Sequence, residues 1–429
     1  MATFTQPTPK PSTFSVSNLA RKIGWGILEF LGRLVVLVIA LPVILLPWAT
    51  SVPMWIWLPL ILIDLALVVA PMRFNQPVIY GAAVVGIIVM SIVGIIASHV
   101  FTFTPPIAGA NSIAVLEKVK LGGSEQWITI RGKDKTKPVL LFLAGGPGGG
   151  TLGLTRQYLM PLEEHFVLVN WEQPGAGKSY SAVPIASLTV ERYLNDAREL
   201  TEMLRARFHQ DKIYLLGESW GTILGIKLIQ KYPELYHAYV GTGQMITTTS
   251  NDVMGYEMAL QYATEQGDSA TIESLRKVGP PPYTGEGMFT KYSPYLGVLN
   301  KIMAQKTGGK ITMYDMYLGH LLGPEYGWVD KLNWYRGFID VFTVVYPQIA
   351  DLDFTTQATQ LKVPVYFAEG RYDINAMASL VEKYYNTLQA PHKELIWFEQ
   401  SGHDVMYGET IKFVDMMVNR VLAQTQPAR

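Results

Sequence analysis

The apolar positions divide the chain in two. Before residue 102 they form long unbroken blocks, and after it they form short runs separated by polar turns. Three blocks, about 27–48, 53–72 and 78–100, each approach the ~20 residues that a helix needs to cross a ~30 Å hydrocarbon core. They are apolar on every face, which suits lipid better than a soluble core. They predict three transmembrane helices within 23–101. Residues 1–22, rich in Thr, Ser and Pro, read as a disordered tail, and 102–110 reads as a linker. From 111 onward the pattern alternates. Segments 113–121 and 126–131 predict an antiparallel pair around Gly122-Gly123. Short apolar strands follow at 139–143, 165–170, 213–216, 236–240, 363–368 and 394–398. Helical periodicity occupies 190–208, 222–231, 376–388 and 409–423. Apolar strands alternating with helices predict an α/β domain, a mainly parallel sheet with helices on both faces. Segment 247–361, rich in Met, Tyr and Gly and mostly helical in pattern, interrupts the alternation. It reads as a helical cap over the strand ends, leaving 111–246 and 362–429 as the core.

Composition narrows the chemistry. Lys plus Arg and Asp plus Glu both number 35, so no basic excess points to nucleic acid. The chain has no cysteine, which excludes disulfides, thiolate catalysis and Cys-type zinc sites. No metal or cofactor is expected. Gly175 to Ser179 imitates the end of a phosphate-binding loop, but the position that must be Gly is Glu172. Charge also orients the apolar blocks. Arg21, Lys22 and Arg33 flank the start of the first, Arg73 lies between the second and third, and the first connection is uncharged. The positive-inside rule then predicts a cytoplasmic N-terminus, a multi-pass protein of the plasma membrane, and an extracytoplasmic C-terminal domain. The partners expected are the lipid bilayer and a small-molecule or peptide substrate. Asp64, in mid-block, reads as a carboxyl that holds the helices together.

The chemistry centres on Gly217-Glu-Ser-Trp-Gly221, which lies between a predicted strand and a predicted helix. That context makes Gly-x-Ser-x-Gly a nucleophile elbow, with Ser219 at its apex. A serine hydroxyl needs a base, usually histidine, held by a carboxylate. His403 follows the last predicted strand, and Asp373 lies just past the strand before it. The chain order Ser, Asp, His is the one this sheet type uses. Glu369 is the main rival of Asp373. The oxyanion would be met by the backbone amides of Trp220 and of Gly146, in the Gly145 to Gly150 turn.

On Gly145-Gly-Pro-Gly148, Gln173-Pro-Gly-Ala-Gly-Lys-Ser179, Gly217-Glu-Ser-Trp-Gly221, Gly370-Arg-Tyr-Asp373 and Gly402-His403, the chain resembles the α/β-hydrolase superfamily. Within it the likeness is to the proline iminopeptidase-like serine aminopeptidases, over about residues 111–425. The resemblance implies a capped α/β-hydrolase fold with Ser219, Asp373 and His403 as triad and Gly146 and Trp220 as oxyanion donors. It also implies acidic side chains near the cap that hold a substrate's α-amine, for which Glu257 and Glu218 are candidates. Two positions depart from the family: Ala144 replaces its usual His, and Pro174 replaces its Arg. The expectation is a membrane-anchored serine hydrolase acting through an acyl-enzyme on short peptides or aminoacyl amides. The alternatives are an esterase or lipase on acyl esters and, in a different class, a non-catalytic membrane sensor or scaffold.

Overall fold

A computed structural model describes residues 16–74, 76–309 and 320–426. Most of the tail expected at 1–22 therefore lies outside the described residues. The chain divides into two compact units, Met1–Ser98 and His99–Arg429.

In the first unit, two helices are long and apolar enough to cross a membrane, within Met54–Pro71 and Pro77–Val100. The third expected span falls on the helix Val16–Ile44, whose apolar part among the described residues is the shorter Phe30–Ile44. Two spanning candidates thus stand where the apolar pattern predicts three. Ala83, Ile87, Ser91, Gly94 and Ser98 form the buried stripe of Pro77–Val100. Small residues there let backbones approach. A Cβ on Gly94 would lie 3.1 Å from Val43 Cγ2, and one on Gly86 2.8 Å from Leu67 Cδ1. Ser91 donates a hydrogen bond to the Ile39 carbonyl at 2.5 Å. Asp64 is fully buried, and neither oxygen has a hydrogen-bond partner among the described residues.

The second unit is built on eight strands: β1 (Ile113–Leu121), β2 (Ser124–Gly132), β3 (Val139–Leu143), β4 (Val167–Glu172), β5 (Ile213–Glu218), β6 (Tyr236–Thr242), β7 (Val365–Gly370) and β8 (Lys393–Phe398). Their order in the sheet is β1-β2-β4-β3-β5-β6-β7-β8. The pairs β1–β2 and β2–β4 are antiparallel and every later pair is parallel. The mainly parallel sheet read from the alternating pattern is thus the sheet observed. The inner strands are buried on both faces, which is why β3 is Val-Leu-Leu-Phe-Leu without a polar position. One face carries a core of Leu141, Val169, Trp171, Leu215 and Phe367, covered by the helices Val190–Phe208 and Trp220–Lys231. The other packs Phe142, Leu168, Tyr214, Tyr366 and Phe398 against the C-terminal helices.

Helices Thr249–Glu265, Ser269–Val278, Met288–Thr307 and Trp328–Val345 are inserted between β6 and β7. They enclose a separate aromatic cluster of Tyr256, Tyr283, Tyr292, Tyr295 and Phe342. The last of these helices is seated by backbone contact. A Cβ on Gly337 would clash with the Gly175 carbonyl and stand 2.9 Å from that of Gly148. Polar ties fix the same helix base: Lys178 Nζ donates to Asp330 Oδ2 at 2.8 Å, and Trp334 Nε1 to the Gly150 carbonyl at 2.7 Å. Lys178 of the loop-like motif is therefore a buried tie to the inserted helices.

The segment after His99 is anchored to the sheet by Arg131 on β2. Its guanidinium donates to Thr104 Oγ1 at 2.6 Å, to the Pro105 carbonyl at 2.7 Å and to Glu163 Oε1 at 2.7 Å. The Arg131–Glu163 pair is almost fully enclosed, with 6% and 2% side-chain exposure. Removing one partner of such a pair leaves an uncompensated buried charge. Arg131→Ala is therefore expected to cost about 3–5 kcal/mol in urea unfolding, whereas the apolar double replacement Arg131→Met with Glu163→Leu should cost much less.

Candidate active site

Ser219 directly follows β5 and caps the helix Trp220–Lys231. Its backbone is at φ 50° and ψ −116°, a conformation that costs a non-glycine residue of order 1–3 kcal/mol. The surroundings enforce it. The Ser219 amide donates to the Thr242 carbonyl at 3.0 Å, and its carbonyl accepts from the Thr222 amide at 2.8 Å and hydroxyl at 2.5 Å. The flanking glycines leave room for nothing else. A Cβ on Gly217 would meet the Gly221 carbonyl at 2.7 Å, and one on Gly221 would clash with the Leu143 carbonyl.

Asp373 and His403 come from the loops after β7 and β8. Those loops touch at Gly370, where a Cβ would clash with the Gly402 carbonyl. His403 Nδ1 lies 2.8 Å from Asp373 Oδ2. Asp373 is itself held, since its Oδ1 accepts from the amides of Asn375 at 2.8 Å and Ala376 at 3.0 Å. Glu369, the rival carboxylate, lies deeper. Its Oε1 accepts from the Gln244 amide at 2.9 Å and its side chain is fully buried. Burial, and then the charge of Asp373, push the Glu369 carboxyl well above its usual range. Burial pushes the His403 imidazolium down, but the anions Asp373, Asp404 and Glu218 outweigh it and hold the ring above its ordinary value.

Ser219, Gly146, Trp220 and His403 line one cavity of about 190 Å³ beneath the inserted helices. Gly146 adopts φ 135°, where a Cβ would stand 2.7 Å from the amides of Gly148 and Gly149. Trp220 is anchored from the side, its Nε1 donating to Gln173 Oε1 at 3.0 Å, while Gln173 Nε2 donates to the Ala144 carbonyl at 3.2 Å. That chain supports the glycine turn from the position where Ala144 offers no side-chain hydrogen bond.

The candidates for amine binding separate. Glu218 lines the cavity and is buried. Glu257 is exposed and is not among the lining residues. At 100° per residue it points about 140° away from Asp252 on the same helix. Asp252, which no sequence motif marks, does line the cavity and is 4% exposed. Tyr346 donates to its two oxygens at 3.0 and 3.1 Å, and the side chains of Tyr292 and Tyr295 also favour its charged form. Burial pushes its carboxyl up to about 6, against the pull of these donors. Phe289, Phe338 and Phe342 complete the wall. Its one sequence signal was its place early in the first helix after β6, three residues past Thr249. Among the described residues no cluster of acids and histidines could hold a metal ion.

The chain's similarities agree with this geometry. A family model described as "Serine aminopeptidase, S33" matches residues 162–266, the stretch that carries the elbow. A probable aminopeptidase, YbaC, from Bacillus subtilis is 29% identical over 298 residues, covering 68% of this chain and 91% of that protein. A probable proline iminopeptidase from Leptolyngbya boryana is 23% identical, covering 68% of this chain and 89% of its own. The solved structure of a proline iminopeptidase from Mycobacterium smegmatis superposes with a TM-score of 0.54 at 14% identity, over 73% of this chain and all of that one, a likeness of fold.

Gly243 offers a direct test of how tightly the histidine is held. At φ 54°, a Cβ there would stand 2.6 Å from His403 Cε1 and 2.8 Å from Nδ1. Gly243→Ala should displace the ring and lower kcat toward amide and ester substrates by about 100-fold, the order expected of a 1 Å misplacement. Circular dichroism and the unfolding midpoint would check that the fold persists. The chain has the α/β-hydrolase fold, and the matched segment and these relatives mark it as a hydrolase enzyme, aminopeptidase-like.

Proposed function

We propose that the protein is a membrane-anchored serine hydrolase that removes residues from short peptides or aminoacyl amides bearing a free α-amine. The observation that carries this reading is one cavity that holds Ser219, His403 and the buried carboxylate of Asp252 within aromatic walls. Ser219 Oγ attacks the scissile carbonyl while His403 Nε2 takes its proton. The amides of Gly146 and Trp220 meet the negative charge that forms on the carbonyl oxygen. Such preorganised donors are each worth about 10²–10³ in rate. The amine leaves with the proton from His403, and water then cleaves the acyl-enzyme ester with His403 again as base. Asp373, accepting from Nδ1 on its other side, keeps the imidazole oriented.

Asp252 supplies the substrate preference. A protonated amine entering an apolar aromatic pocket loses its water, and a carboxylate with π-faces around it compensates. The names of the relatives, aminopeptidase and proline iminopeptidase, agree with a substrate read from its amino end. With the shorter apolar helix Phe30–Ile44 counted as a third span, the positive-inside pattern puts the catalytic unit, cap included, on the extracytoplasmic side.

Two outcomes test the reading. Fluorophosphonate labelling should occur in the wild type and vanish in Ser219→Ala. Asp252→Asn should raise KM for aminoacyl-naphthylamides by at least about tenfold, a loss on the order of 1.4 kcal/mol, while leaving nitrophenyl acyl esters without an amine nearly unchanged. Equal losses on both panels would remove Asp252 from amine recognition. The pH dependence has a definite sign. The base must be neutral to accept a proton, and its surrounding anions hold His403 protonated beyond its ordinary value. The acid limb of kcat/KM should therefore lie above the ordinary histidine pKa of about 6.5.

A further inference from the structure

One buried acid beside the nucleophile has no part in that cycle. Glu218 is the last residue of β5, is 7% exposed and lines the same cavity as Ser219. Two other segments converge on its carboxylate. The Gly145 amide faces it from the glycine turn and favours its charged form. Tyr407, in the short helix Val405–Gly408 just after His403, donates its hydroxyl to Oε2 at 3.2 Å. The fit of the turn against this residue is close. A Cβ on Gly145 would lie 3.4 Å from Ser219 Cβ and 3.7 Å from Glu218 Cγ. Tyr407 is braced in turn by Tyr158, ring centroids 5.4 Å apart.

We propose that Glu218 is a positioning residue: it ties the oxyanion turn to the nucleophile elbow and adds a negative charge against which His403 takes up its proton. The assignment rests on the roles proposed for Ser219 and His403. Both groups that reach the carboxylate are donors, so it is the ionised form that braces the turn. The charged groups acting on it are Asp404, which opposes that charge, and His403, which favours it. His403 is faced by Asp373, Asp404 and Glu218, and Glu369 lies behind Asp373. Burial, and then Asp404, push the Glu218 carboxyl up to about 7, so its charge changes within the range where the enzyme would work.

The sign of the effect follows. Neutralising Glu218 removes an anion from beside His403, so the imidazole loses its proton at lower pH. It also replaces two equivalent anionic acceptors by one neutral carbonyl oxygen, for which Gly145 and Tyr407 then compete, so the Gly146 amide is held less firmly over the oxyanion. Glu218→Gln keeps the size of the side chain and does both. Tyr407→Phe removes one donor, leaves the Glu218 charge less stabilised, and should act in the same direction more weakly.

The test uses the full chain in detergent micelles, with pH profiles for an aminoacyl-naphthylamide and a nitrophenyl ester. The expected result for Glu218→Gln is a kcat about tenfold lower with KM little changed on both substrates, and an acid limb moved to lower pH. Tyr407→Phe should give a smaller shift of the same sign, and it decides the matter if Glu218→Gln does not fold. Wild-type kcat in both variants overturns the proposal, and so does a lower kcat with an unmoved acid limb, the mark of a merely structural side chain. Failure of the wild type itself to turn over substrate or take a fluorophosphonate label would overturn the nucleophile reading, and this assignment with it.

Discussion

Everything in the catalytic half depends on the space denied to side chains around Ser219. Its backbone is held at positive φ because β5 runs into the helix Trp220–Lys231 without an intervening loop. That junction closes only where Gly217 and Gly221 bring backbone against backbone. An ordinary serine would relax out of this conformation. Here the sheet on one side and the helix on the other prevent it, and burial of their apolar faces offsets the strain. The same device recurs around the site. Gly370 lets the loops of Asp373 and His403 touch, Gly243 leaves room for the imidazole, and Gly148 and Gly337 seat an inserted helix on the glycine turn.

With the backbone so placed, the electrostatics follow from crowding. Four acids, Glu218, Glu369, Asp373 and Asp404, are gathered near one histidine, the first three of them buried. They cannot all be charged without cost, and the structure separates them by their donors. Asp373 receives two amides and the imidazole, whereas Glu369 receives one amide and stays neutral more easily. Asp252 stands apart, in a wall of tyrosines that supply hydroxyl donors and leave an apolar approach. A second buried network secures the inserted helices: Tyr326 donates to Glu172 Oε1 at 2.9 Å, and Arg156 pairs with Glu325.

Local pattern was enough for much of this. Short, mostly apolar runs mark strands covered on both faces, and β3, β5, β6 and β7 follow them closely. The elbow is legible because its glycines are required by sterics that act within five residues. The order Ser, Asp, His is legible because each lies just past a strand that the pattern locates. In the first unit, hydropathy finds apolar stretches but not which residues turn inward, and only the folded helices show the buried stripe at Ala83, Ile87, Ser91, Gly94 and Ser98. The first block shows the same limit, since its apolar part among the described residues is shorter than a span.

What the sequence by itself determined is the sheet, the elbow and the residues that follow the strand ends, because these arise from local sterics and from periodicity. What tertiary structure alone decided is which acids meet which partners. Glu257 and Asp252 are equally acidic in the sequence and share a helix, yet only the packing of that helix turns Asp252 to the cavity and Glu257 to solvent. Glu218 reads as an unexplained neighbour of Ser219 until the fold brings Gly145 and Tyr407, 73 residues before it and 189 after, to the same carboxylate. Charge and hydrogen bonding between distant segments have no sequence period, so they become readable only when the chain has folded.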